Sequence, residues 1–364
     1  MEEIYMKRIG ILTGGGDAPG LNAVIRAVAR VCSYAGAELY GFLDGYSGLI
    51  QNRYKRLDIP HISGLLHRGG TILGSNNRDN PFNFPVKEDQ KLVYKDMSSK
   101  LVQNLERLKV DCLIVIGGDG SLAIAKELTD KGAKIIGVPK TIDNDMPETD
   151  QTFGFDTAIT TATDALDKLH TTAESHHRIM VLELMGRYAG WIALYSGVAG
   201  GADVILLPEI DWNIESVKAK IYSRKEEGKA FSIIVVAEGV KTPEGKHVIR
   251  ETVKGSGDPV RLGGIGQTIA NMIQEQTGLE SRATVLGHIQ RGGSPSPFDR
   301  ILATRYGETA AKLALEGQWG KMVSLKNGII TTVEFKDIPR ENRTVPKCHP
   351  LIYAAKNIGI SFGD

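Results

Sequence analysis

Leu113 to Asp145, LIVIGGDGSLAIAKELTDKGAKIIGVPKTIDND, carries the decision about the fold in one unbroken unit. Leu113–Ile116 and Ile135–Val138 are short, continuous apolar runs, the pattern of strands buried on both faces of a parallel sheet. Between them a glycine pair leads to Ser121, read as the N-cap of a helix that closes on Gly132. Strand, glycine turn, helix and strand make a βαβ crossover. Working outward, further apolar runs recur at 9–12, 39–43, 179–184, 204–207, 233–237 and 283–286. Leu21, Val24, Ile25, Val28, Val31 and Cys32 recur at helical spacing after the first run. The expectation is an α/β protein of two Rossmann-like three-layer α/β/α domains with mostly parallel sheets and a site in the cleft between them. No low-complexity linker separates the halves, so the chain is expected to cross between them more than once. Residues 1–154 with about 288–335 would form the larger domain, and 155–287 with about 336–364 the smaller.

The 364 residues suit two domains, and a formal net charge of +1 offers no electrostatic case for nucleic acid or a membrane surface. Cys32, Cys112 and Cys348 are too scattered for a disulfide framework or a zinc site. No apolar run approaches the roughly 20 residues of a membrane span, and the first residues do not read as a signal peptide. A soluble, cytoplasmic protein is expected.

Forty-two glycines cluster in pairs and triplets, which suggests loops that let backbone N–H groups approach an anion. The first loop, LTGGGDAPGLN, follows a strand and precedes a helix; Asp17 or Asn22 could orient a hydroxyl or merely fix the turn. In the second, Gly118, Gly120 and Ala123 satisfy GxGxxA, a weak dinucleotide fingerprint. Asp119 argues against that reading, since a carboxylate there would face a pyrophosphate unless Mg²⁺ lay between them. An NADP-dependent oxidoreductase, with Lys140 on a 2′-phosphate, stays as a remote alternative. The third loop delivers Thr141, Asp143, Asn144 and Asp145 to a strand's C-terminal edge, either as a polar turn or as an acid–base and metal group. Arg178 and Arg187 flank another strand, and Arg282, His288 and Arg291 fall within ten residues, which suits phosphate binding as well as surface ion pairing.

GGDAPGLN, GGDGS, TIDND, ELMGRYAG and RATVLGHIQRGGSPSPFDR, in this order, closely resemble the phosphofructokinases from about Lys7 to about Leu315. The resemblance implies Mg²⁺-dependent phosphoryl transfer to O1 of fructose 6-phosphate. It makes Asp143 the general base with Thr141 beside it, and gives Mg²⁺ to Asp119 and Asp145. Gly16, Tyr46, Gly118, Gly120 and Ser121 would line the donor site, and Arg187 would neutralise the transferring phosphoryl. Met185, Gly186 and Glu238 would contact the sugar, and Arg178, Arg282, His288 and Arg291 its 6-phosphate. A homotetramer, a dimer of dimers sharing residues between active sites, is implied as well.

The sequence departs from the best-known bacterial pattern. Asn77 takes the aligned place of a transition-state arginine, with Arg78 one residue later, and of the effector-site residues only Arg26 and Arg30 fit. Family members that use pyrophosphate have aspartate at the position of Gly120 and lysine at that of Lys140; this chain combines the ATP-like glycine with the pyrophosphate-like lysine. A side chain at 120 would crowd a nucleotide's α-phosphate, whereas a lysine only adds charge, so ATP is the expected donor and pyrophosphate the alternative.

Overall fold

The computed structural model describes residues 7–88, 91–252 and 260–364. The chain opens β1 (Arg8–Thr13), α1 (Leu21–Tyr34), β2 (Glu38–Phe42), α2 (Tyr46–Ile50), β3 (Tyr54–Arg56) and α3 (Ile59–Ile62). A hairpin, β4 (Phe84–Glu88) and β5 (Lys91–Lys95), precedes α4 (Ser98–Arg107), β6 (Cys112–Gly117), α5 (Asp119–Asp130) and β7 (Ile135–Pro139). Next come α6 (Phe155–His176), β8 (Ile179–Leu184), α7 (Trp191–Ala199), β9 (Val204–Leu206), α8 (Ile214–Glu226) and β10 (Ser232–Ala237). The rest is β11 (Ile249–Thr252), β12 (Val260–Leu262), α9 (Ile265–Thr277), β13 (Ser281–Val285), α10 (Pro297–Glu316), β14 (Lys321–Lys326), β15 (Ile329–Glu334) and α11 (Pro350–Asn357).

Two α/β layers result, each with its own sheet. The first has seven strands in the order β15-β14-β7-β6-β1-β2-β3, and the second four in the order β13-β8-β10-β9. The second is parallel throughout, and the first is parallel across its five inner strands. Its edges β3 and β15 run antiparallel, an exception that the continuous apolar runs did not foretell. The turn from β14 to β15 is Asn327-Gly328, both with positive φ (50° and 79°). That is the residue pair a type I′ hairpin needs, and it was a legible signal.

Side-chain alternation explains why β6 reads as apolar throughout. Ile114 and Ile116 pack against α1 and α10 on one face, while Leu113 and Val115 pack against α4 and α5 on the other. Each face therefore takes every second residue, and neither can be polar. β8 and β10 are likewise buried along their whole length, within the core of the second layer.

In the first sheet the strand order reverses at β1 and β6, the switch point at which the crevice of an open α/β sheet forms. The loops leaving β1, β6 and β7 at their carboxyl ends are the three that the sequence singled out. Ser121 does not cap α5: the helix starts at Asp119 with Gly118 in the cap position, and Ser121 lies in its first turn. The reason is steric, since Gly14 and Gly117 lack the Cβ atoms that would meet the Ser121 side chain at 2.6 and 2.3 Å. The helix can therefore begin three residues early, close against β1.

Candidate active site

The carbonyl end of β7 delivers Lys140 to Asp145, all buried. The Asp143 N–H donates to Thr141 Oγ1 at 3.0 Å. Thr152 Oγ–H donates to the Thr141 carbonyl at 2.7 Å and its N–H to Asn144 Oδ1 at 3.1 Å, so the backbone turn is pinned from within. Asn144 sits at φ 52°, a left-handed conformation that asparagine accepts more readily than most residues, and this turns the two aspartates to different directions. Asp143 Oδ1 is buried without a hydrogen-bond partner. Its other oxygen lies 4.0 Å from Arg291 Nη2.

Cations and carboxylates converge here. Arg291 Nη1 donates to the Asp17 carbonyl at 3.0 Å, bringing the late basic cluster against the first glycine loop. Lys140 Nζ donates to the Gly16 carbonyl. Burial, then Arg291 and Arg187, push the Lys140 amine down to about 8 against the pull of Asp143 and Asp119. Arg187, at φ 52° after β8, places Nη1 3.9 Å from Asp119 Oδ1 and gives its N–H to Glu238 Oε1 at 3.1 Å. Burial, then the Asp143 charge, lifts the Glu238 carboxyl to about 7. Asp145 is likewise pushed up to about 7, by burial first and then by Asp143 and Asp119.

Those mutually repelling carboxylates are a fit for a divalent cation. Among the described residues no group of three or more His, Cys, Asp and Glu could hold a metal by itself. An ion held by one or two carboxylates and completed by phosphate oxygens and water is the coordination habit of Mg²⁺, and Asp119 with Asp145 would suit it.

Gly120 carries a further clue. A Cβ built there meets nothing within 4 Å, and its φ is ordinary, so the protein itself does not require glycine. The space beside it is open at the N-terminus of α5, where an anion is favoured. Gly118 is different, since its Cβ would approach the Lys140 carbonyl at 3.3 Å. At Gly16 a Cβ would come within 3.1 Å of Arg291 Nη1.

Other expected residues fall into three places. Met185 and Gly186 follow β8 in the same loop as Arg187; Gly186 has φ 146°, and a Cβ there would lie 2.5 Å from the Ala189 carbonyl. Tyr46 is fully buried and gives its hydroxyl proton to the Ser121 carbonyl at 2.8 Å, bracing the second loop from beneath. Arg78 is exposed, in a turn where its N–H donates to Asn76 Oδ1. Arg178 and Arg282 are not brought to this cluster. Arg178 immediately precedes β8 and Arg282 is the second residue of β13, at the opposite end of the sheet from Arg187, and both pair with Glu280 at 2.9 and 2.6 Å. His288 is exposed in the 3-10 turn Gly287–Arg291, three residues before Arg291.

Sequence reading gave one segment a place in the smaller domain but no residue in the site. Asn342 Nδ2 donates to Asp145 Oδ2 at 2.8 Å, and the Arg343 N–H donates to the Asp145 carbonyl at 2.7 Å. Nearly two hundred residues separate these partners, and the polar stretch at 336–350 has no period that could have announced the contact.

The chain matches the phosphofructokinase family (PFK) over residues 8–314. It is 53% identical to "ATP-dependent 6-phosphofructokinase 2" of Clostridium perfringens, across 99% of both chains. It is 48% identical to the "Pyrophosphate--fructose 6-phosphate 1-phosphotransferase" of Streptomyces coelicolor, across 98% of this chain and 100% of that one. In three dimensions it superposes on phosphofructokinase from Saccharomyces cerevisiae with a TM-score of 0.77 at 30% identity, covering 91% of this chain and 45% of the yeast chain. A match along 8–314, on a fold whose three glycine and aspartate loops meet at one switch point, means that this chain belongs to the phosphofructokinase family.

Proposed function

We propose that the chain is an ATP-dependent 6-phosphofructokinase, converting fructose 6-phosphate and ATP to fructose 1,6-bisphosphate and ADP. The observation that carries the reading is the buried, unpartnered Oδ1 of Asp143 facing a site rich in cations. A general base needs a free lone pair at the point where the acceptor hydroxyl enters. In this reading Asp143 takes the proton from O1 as the O1–P bond forms, and the bond from the γ-phosphorus to ADP breaks. Thr141 fixes the base, Arg187 neutralises the transferring phosphoryl, and Arg78, two residues after the Asn76 carbonyl that accepts from Gly15 N–H, adds charge at the donor. When bound through Asp119 and Asp145, Mg²⁺ supplies charge neutralisation on the phosphate oxygens. Gly16, Gly118, Gly120 and Ser121 cradle the donor with Tyr46 behind them; Met185, Gly186 and Glu238 hold the sugar, and His288 and Arg291 its 6-phosphate.

Arg178 and Arg282 would serve a neighbouring copy's site, in a tetramer built as a dimer of dimers. We assign 1–154 with about 288–335 to the donor-side domain, as the pairing of β14 with β7 suggests. Residues 155–287 with about 336–364 go to the sugar side, as the Val204–Ser361 bridge suggests. Among the described residues no helix is long and apolar enough to cross a membrane, which suits a cytoplasmic enzyme.

One observation favours a second reading, pyrophosphate as donor: the Lys140 amine adds a cation to the site. Its Nζ is already donated to Gly16, however, while the space beside Gly120 is open. Bisphosphate formation with Mg²⁺, measured in parallel with ATP and with pyrophosphate, tests both. Turnover with pyrophosphate alone would reject the donor assignment, and none with either would reject the reaction.

A further inference from the structure

The segment Asn342–Val345 runs between the loop that carries the aspartates and the second layer, and it is fastened on both sides. Toward the aspartates, Arg343 donates to the Asn144 carbonyl from Nη2 at 2.9 Å and from Nε at 3.2 Å, in addition to the Asn342 and Arg343 bonds to Asp145. Toward the second layer, the Arg343 guanidinium lies 4.5 Å from the ring centroid of Trp191, which opens α7. The Trp191 indole N–H donates to the Arg343 carbonyl at 3.0 Å. Glu209 Oε1 accepts from Val345 N–H at 2.8 Å and from Gly190 N–H at 2.9 Å. Burial lowers the affinity of Arg343 for its proton against the pull of the Asp150 and Asp145 charges, and among the described residues no carboxylate comes within ion-pair distance of it. Among the described residues, both of its side-chain hydrogen bonds go to one backbone carbonyl.

The carbonyl belongs to Asn144, the left-handed residue between Asp143 and Asp145. It lies in the peptide between Asn144 and Asp145, so holding it fixes ψ of Asn144 and φ of Asp145, and with them the direction of the Asp145 carboxylate relative to Asp143. We propose that Arg343 is a positioning residue for phosphoryl transfer: it clamps the Asn144–Asp145 peptide from the second layer, and so holds Asp145 toward the donor, in register with the Asp143 base two residues before it. The inference rests on the reaction proposed above. Fixed outer contacts of this kind typically change activity about 10- to 100-fold.

The experiment compares the full-length wild type with Arg343→Met and Arg343→Lys. Steady-state kinetics with ATP and fructose 6-phosphate are read beside hydrogen exchange of the peptide spanning 139–153. Methionine keeps the apolar stem but loses both the bonds to the Asn144 carbonyl and the guanidinium over Trp191. The expected result is a kcat loss of about 10- to 100-fold with both KM values held, and faster exchange confined to 139–153. Lysine should recover part of kcat, since an ammonium can reach the carbonyl without the planar stack. Unchanged kcat, unchanged exchange at 139–153, or faster exchange throughout the chain with kcat and KM moving together would each overturn the proposal. A wild type inactive with both ATP and pyrophosphate would sink the reaction instead, and the exchange measurement would still decide whether the clamp exists.

Discussion

At the scale of single residues, the site is defined by what is left unsatisfied or empty. Asp143 Oδ1 is buried with no donor, an arrangement that costs stability unless a substrate hydroxyl completes it. Asp143→Asn keeps the shape and removes the basicity, so kcat for bisphosphate formation should fall by roughly 10²–10⁴; near-normal turnover would show that another group takes the proton. Gly120 is the complementary case. Because a Cβ there touches nothing and φ is ordinary, Gly120→Asp should leave the thermal midpoint close to wild type while abolishing turnover with ATP. If ATP turnover survives in a well-folded Gly120→Asp protein, the open space is not the nucleotide's.

At the scale of elements, helix starts carry much of the construction. Asp299, in the first turn of α10 and fully buried, accepts from both the N–H (2.8 Å) and the hydroxyl (2.6 Å) of Thr157 in the first turn of α6. It thus joins the two helix starts. Burial pushes its carboxyl up to about 6. The unfolded chain ionises this group near the usual ~3.9, so the native state binds the proton more tightly. The cost of keeping Asp299 charged is therefore full above pH 6, and it fades as the pH falls from 6 toward 4. Urea denaturation should show this site contributing about 1–3 kcal/mol of added stability over that fall. Asp299→Asn, neutral throughout, should flatten the slope by that share; an identical slope in the variant would contradict the assignment.

At the scale of the whole molecule, the most consequential placement is a separation. Arg178 and Arg282 share Glu280 at the edge of the second sheet from which β8 and β13 start, whereas Arg187 follows the other end of β8. A six-residue strand spans about 20 Å, too far for one sugar phosphate to bridge. If neighbouring copies share sites, Arg178→Ala and Asp143→Asn proteins should each be nearly inactive alone, yet recover a fraction of wild-type activity after being unfolded and refolded together. No recovery from mixtures shown by native mass spectrometry to contain hybrids would show that Arg178 does not serve a neighbouring copy's site.

The βαβ unit from Leu113 to Asp145 was legible because each of its signals is local. Continuous apolar runs follow from burial on two faces, and glycines from backbone that turns at a helix start. The positions of Asp119, Asp143, Asp145 and Arg187 at strand ends followed from the same local signals. The antiparallel edge of the first sheet was equally local, in Asn327-Gly328, and was overlooked. What no local pattern could supply are contacts between segments distant in the chain: Arg291 on the Asp17 carbonyl, Asn342 and Arg343 on the aspartate loop, Asp299 on the start of α6. Such contacts involve single polar side chains whose partners lie more than a hundred residues away, and they leave no periodicity behind. The sequence alone thus determined the layered α/β architecture and the chemistry at its strand ends. Tertiary packing decided which carboxylate stays unpartnered, which cation is spent on backbone, and which arginines face away, because burial and distance set those outcomes and neither is written in neighbouring residues.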